Sequence, residues 1–171
     1  MQTMLKHRNI EKLFEVNMKN IQNRNIFLDA NVICDLLLDR GYHAKNVEDI
    51  FEYAQNRFVM LHVCSYTFAI GYYRMRKDLN TPHKIALYAL EKLFPKVNCV
   101  SVDGVIIQQA MKSGFKKYED AIQYCCALKV PECETIITHD LKDFALSNIP
   151  VATPKIFLHQ EIIKKSFIKP S

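Results

Sequence analysis

Glycine is scarce in this sequence. There are four in 171 residues, and none lies in a Gly-rich loop of the kind that cradles phosphates. That argues against a dinucleotide fold and against a P-loop enzyme, which both need backbone free of Cβ at the phosphates. The six cysteines, at 34, 64, 99, 125, 126 and 133, form no C-x-x-C pair, so zinc-binding spacing is missing. Cys34, Cys64, Cys99, Cys125 and Cys126 stand in apolar surroundings and read as small buried hydrophobes of a reducing compartment. Cys133 falls in an expected loop and reads as the exposed thiol. No run approaches the roughly 18 consecutive apolar residues of a membrane span, so no membrane association is expected. Lys6, His7 and Arg8 are followed by no apolar block, so a signal peptide is not expected and the expected location is the cytoplasm. No internal repeat or low-complexity tract is visible, and the length suits one domain with a sizeable core.

The charge that is present is unevenly spread. The net charge is +5, and residues 1–24 hold five Lys and Arg against two Glu. Residues 154–171 hold four Lys against one Glu, so the basic excess lies wholly at the two ends. Basic flanks on a near-neutral body are compatible with a polyanionic partner, but charge alone favours plain solvated termini.

Short apolar runs alternate with helical periodicity along the whole chain. Residues 1–24 are expected to be an extension, helical in places, with Ile10, Leu13, Phe14 and Met18 on one face. Strands are expected at 25–28, 58–64, 97–102, 134–138 and 149–151. Helices are expected between them, over 32–38, 43–56, from Ser65 to Lys77, from Thr81-Pro82 to Phe94, from Asp103 to Ser113, over 118–130 and from Pro154. Ser65 and Thr81 are read as N-caps, with Pro82 at the first helical position. Such alternation predicts a three-layer α/β/α sandwich around a mainly parallel sheet of four to five strands. The domain is expected over residues 25–158, with a basic tail over 159–171.

The most telling stretch runs from Tyr118 to Phe144. Glu119 and Asp120 open a helix that is otherwise almost wholly apolar, a β-branched run follows, and it ends in His139-Asp140 with Asp143 three residues on. Asp29 closes the first strand. In an open parallel sheet, ligands gather beyond the carboxyl ends of the strands. A crossover helix runs antiparallel to the strand it feeds, so Glu119 and Asp120 belong at that same edge. Singly, each acid is explained as a helix cap or a dipole partner. Together they place three acidic points on one edge, where like charges need a cation. Oxygen-only ligands suit Mg²⁺ or Mn²⁺. A short basic cluster, Arg74, Arg76 and Lys77 beside Tyr72 and Tyr73, offers contacts to a nucleic-acid backbone, or simply a solvated helix end.

Three stretches together carry a family resemblance: Ile26-Phe27-Leu28-Asp29-Ala30-Asn31-Val32-Ile33, Tyr118-Glu119-Asp120-Ala121-Ile122-Gln123-Tyr124, and Ile136-Ile137-Thr138-His139-Asp140-Leu141-Lys142-Asp143-Phe144. In this order they resemble the PIN domain, the nuclease fold of VapC-type toxins of bacterial toxin–antitoxin pairs. Ile149-Pro150-Val151 with Thr153-Pro154 is similar to the family's usual ending, so the resemblance covers about residues 25–158. It implies an Mg²⁺- or Mn²⁺-dependent endoribonuclease leaving a 5′-phosphate, a cognate antitoxin and a homodimer. It implies that Asp29, Asp120 and Asp140 or Asp143 hold the metal, with Glu119 as a further acid and Asn31 and Thr138 as polar support. Many relatives carry an acid early in the helix after the second strand. Within Thr67-Phe68-Ala69-Ile70-Gly71-Tyr72 the position is Ile70, and Glu119 becomes the substitute. The alternative is a catalytically weakened domain that binds RNA or protein.

Overall fold

Ile26, Phe27 and Leu28 are all completely buried, as only a central strand covered on both faces requires. They form the core of β1 (Arg24–Leu28) in a computed structural model that describes residues 24–57 and 59–167. The proposed apolar face at Ile10, Leu13, Phe14 and Met18 lies outside those residues, as does Phe58.

The chain continues through α1 (Ala30–Leu37), α2 (Tyr42–Arg57), β2 (Val59–Cys64), α3 (Ser65–Asp78), α4 (His83–Leu93) and β3 (Asn98–Val100). It closes with α5 (Gly104–Lys112), α6 (Tyr118–Ala127), β4 (Cys133–Ile137), β5 (Val151–Ala152) and α7 (Pro154–Phe167). The five strands stand in the order β3-β2-β1-β4-β5, and every pairing is parallel. This is the expected three-layer α/β/α arrangement. Parallel neighbours demand helical crossovers, which cover both faces.

Alternation along β1 divides the core in two. Ile26 and Leu28 pack with Val32 and Ile33 of α1, Val47 and Ile50 of α2, and Phe157 of α7. Phe27 faces the other way, onto Ile106 of α5, Ala121 and Cys125 of α6, and Phe144. Helix α6 is buried without a break from Asp120 to Ala127. Burying each large apolar side chain in these layers is worth about 1.5–3 kcal/mol.

Asp103 caps α5 as expected, its Oδ1 accepting from the Ile106 amide at 2.9 Å. The same helix ends at Ser113-Gly114, where Gly114 takes a φ of +77°. Ser65, however, is the first residue of α3 and does not cap it, because its Oγ is held 37 residues away by the Val102 amide at 3.1 Å. Pro82, not Thr81, occupies the cap position of α4, and no side chain bonds there. Thr81 is drawn back onto α3, its amide donating to the Met75 carbonyl at 3.1 Å. Cys99 is exposed, contrary to its apolar neighbourhood, because β3 is a three-residue strand at the sheet's edge. Cys133 is half-buried and reaches the Thr135 carbonyl. Helix α7 runs on past 158 to Phe167. Among the described residues no helix is long and apolar enough to cross a membrane.

Candidate active site

The strand order reverses direction at β1, with β2 on one side and β4 on the other. A crevice forms at such a switch point, beyond the carboxyl ends of the two strands. Asp29 leaves β1 there, and Thr138, His139 and Asp140 leave β4. Helix α6 precedes β4 and runs antiparallel to it, so its first turn delivers Glu119 and Asp120 to the same edge.

Thr138 is the hub of the site and is wholly buried. Its hydroxyl donates to Asp29 Oδ2 at 2.6 Å. It accepts from Asn31 Nδ2 at 3.0 Å and from the Asp140 amide at 3.1 Å. Asn31 also donates to Asp140 Oδ2 at 3.2 Å. Asp29 Oδ1 accepts from the Ala30 amide at 2.6 Å, so the same carboxylate caps α1 and faces the crevice. Asp29 thus caps α1 and lines the crevice at the same time.

Asp29, Asn31 and Asp140 line a half-open cavity of about 230 Å³, together with Glu119, Asp120, Gln123 and Ile70. Asp120 is 7% exposed, and its Oδ2 has no hydrogen-bond partner. Gln123 lies one turn further into α6, and its buried Oε1 is likewise unpartnered. Helical spacing from Asp120 was the signal that could have nominated it. Burial pushes the Asp29 carboxyl up to about 7, and the neighbouring Asp120 and Asp140 charges add to the shift against the hydrogen bonds from Thr138 and Ala30. Burial likewise pushes Asp120 up to about 6, with Asp143, Glu119 and Asp140 adding to the shift and Lys117 opposing it. Two crowded carboxyls resist ionisation until something positive joins them. An all-oxygen donor set with an unpartnered buried carboxylate oxygen fits a hard divalent cation such as Mg²⁺ or Mn²⁺.

The structure brings Asp29, Asn31, Glu119, Asp120, Thr138 and Asp140 together. Asp143 is not in the cavity wall, and Lys117 Nζ holds it at 2.6 Å. The basic cluster divides. Arg74 lines the cavity and pairs with Asp78 at 2.5 Å, whereas Arg76 donates to the Thr81 carbonyl and Lys77 lies over the Tyr73 ring. Lys117 and Arg40 also line the cavity and were not anticipated. Lys117 directly precedes the acidic pair and was there to be noticed. Arg40 follows α1 in a turn, and only the fold puts it here. A larger groove of about 690 Å³, walled by Leu36, Leu37, Phe51, Val59, Leu61 and Leu93, is apolar and holds no convergent buried carboxylates.

A family model for the PIN domain matches residues 25–142. No curated protein sequence matches this chain. Among solved structures, VapBC2 from Rickettsia felis bound to a promoter DNA fragment superposes with a TM-score of 0.56 at 11% identity, covering 75% of this chain and 98% of that one. VapBC-1 from nontypeable Haemophilus influenzae gives 0.55 at 18% identity, covering 77% and 98%. A toxin–antitoxin complex from Klebsiella pneumoniae gives 0.52 at 22% identity, covering 75% and 97%. At these identities the likeness is one of fold.

Proposed function

The chain belongs to the PIN-domain family, and from that premise we propose that it is a metal-dependent endoribonuclease and the toxin of a type II toxin–antitoxin pair. The observation that carries this reading is the buried Asp120, whose Oδ2 is unpartnered, lining one cavity with Asp29 and Asp140. Asp29, Asp120 and Asp140 would hold Mg²⁺ or Mn²⁺, with Glu119 as a further acid at the rim. Bound there, such an ion would supply an acidified attacking water and an offset to the charge on a phosphodiester.

The chain's own residues set up the rest. Thr138 holds Asp29 in its rotamer and Asn31 orients Asp140. Lys117 holds Asp143, the fifth acid of the set, outside the cavity wall. Arg74 lines the cavity and would offer its guanidinium to an RNA phosphate there. The solved relatives are toxin–antitoxin complexes, which supports a protein antitoxin as partner. A homodimer and a cytoplasmic location belong to the same reading.

Purified protein is expected to cleave RNA with Mg²⁺ or Mn²⁺ and to stop when the metal is chelated. Asp29→Asn keeps the size and the cap but removes the charge, and is expected to lower cleavage by at least about a hundredfold, on the scale of losing a transition-state electrostatic group. Equal cleavage by that variant sinks the reading. One observation favours a second reading, in which the domain binds RNA or protein with little catalysis. Ile70 lines the cavity where an acid would complete it. Retained RNA affinity without metal-dependent cleavage in the unmodified chain would select that alternative.

A further inference from the structure

His139 does not serve the acidic cavity. Its Nε2 lies 2.5 Å from Asp35 Oδ2, on the buried side of α1. His43, from the start of α2, meets the same point with its ring at 5.0 Å from that of His139, the planes crossed at 84°. One donor atom from each of Asp35, His43 and His139 lies within 4.8 Å of the other two. We propose that Asp35, His43 and His139 form a second metal site, separate from the acidic cavity, for a borderline divalent cation of the Zn²⁺ class.

The donor set decides the class. Two imidazoles and one carboxylate suit zinc-like ions, whereas Mg²⁺ and Mn²⁺ favour oxygen alone. The geometry agrees. With a metal–nitrogen distance of about 2.0 Å, two imidazoles on one tetrahedral ion have their ring centroids roughly 5 Å apart. Donor atoms around such an ion stand about 3.3 Å from one another, so the His139–Asp35 contact would open to admit it. Arg40 Nη1 holds Asp35 Oδ1 at 3.1 Å, which leaves Oδ2 for the ion. That cation moderates the affinity and keeps the carboxylate aimed. Three protein ligands leave a fourth position open, and His43 is exposed, so the ion exchanges with solvent. The three ligands come from α1, α2 and the segment after β4. An ion here therefore ties two helices to the segment that carries Asp140.

Co²⁺ serves as the probe, because its ligand-field spectrum reports both ligand type and coordination number. The full chain carries Cys99→Ser to remove the exposed thiol, and excess Mg²⁺ occupies the acidic cavity. One equivalent of Co²⁺ is expected to give a four-coordinate visible band without thiolate charge transfer, and Zn²⁺ is expected to displace it. His43→Ala is expected to weaken Co²⁺ at least about tenfold, with an unchanged melting temperature in EDTA because the side chain is exposed. Asp29→Asn is expected to leave the band intact. The proposal is overturned if no band forms, if His43→Ala leaves the affinity unchanged, or if Asp29→Asn abolishes the signal.

Discussion

Asp29 is only 3% exposed, and its carboxyl is pushed up to about 7 by burial and by its acidic neighbours. An unfolded aspartate titrates near 3.9. Because the folded value is the higher one, the protonated form favours the fold. That stability is present in full below about pH 4 and is lost as pH rises through about 7. Asp120, raised to about 6, acts in the same direction over a slightly lower window. The metal-free protein is therefore expected to melt at a lower temperature at pH 8 than at pH 5.5. Asn at position 29 stays neutral, so Asp29→Asn should flatten much of that fall and raise the melting temperature at pH 8 in EDTA. Mg²⁺ should raise the wild-type value at pH 8 and leave the variant nearly unmoved. Thermal scans at the two pH values, with EDTA and with Mg²⁺, decide it. A pH-independent wild type would mean that Asp29 is not the strained group described.

At the opposite edge of the sheet, the elements are held by a single guanidinium. Arg24 opens β1 and bonds Glu134 of β4 at 2.7 Å, Tyr53 of α2 at 2.8 Å and Glu161 of α7 at 2.7 Å. Its own pKa is raised by its bonds to Glu161 and Glu134. Glu161 is 5% exposed, and Tyr53 also donates to it. Arg24→Met would take the guanidinium away from that buried carboxylate, at a cost on the order of 2–3 kcal/mol, less than for a fully buried pair because Arg24 is partly solvated. Urea denaturation should show a lower midpoint with an unchanged slope. Arg24→Met combined with Glu161→Leu should recover most of the loss, and failure to recover would mean that the guanidinium contributes chiefly by packing. Elements of this kind show what the sequence could disclose. Strand and helix order followed from periodicity, because each segment's apolar pattern is set by its own burial. The three acidic points followed from strand ends and helix starts. The Arg24 clasp, the diversion of Ser65 to Val102, the exposure of Cys99 and the arrival of Arg40 at the cavity all depend on which strands are neighbours. A local pattern carries no trace of that.

On the scale of the whole molecule, a body over 25–153 with 14 basic and 15 acidic residues must attract a polyanion through the placement of its cations. Arg40, Arg74 and Lys117 line the acidic cavity. Arg40 and Lys117 are committed to Asp35 and Asp143. Arg74 pairs with an exposed partner in Asp78, one turn along its own helix, and such a pair is weak enough to exchange for a phosphate. Arg76 and Lys77 do not line the cavity, and the Thr81 carbonyl and the Tyr73 ring occupy them. Each phosphate neutralised on single-stranded nucleic acid contributes about 0.7 to the slope of log affinity against log salt. In the Asp29→Asn background, which keeps the RNA intact, Arg74→Ala should reduce that slope by about 0.7. Arg76→Ala and Lys77→Ala should leave it unchanged. A titration of labelled RNA at several salt concentrations measures all three. An equal loss from each variant would show that the whole end of α3 meets the RNA. No loss from any of them would move the electrostatic contact to the basic flanks, with four Lys against one Glu over residues 154–171.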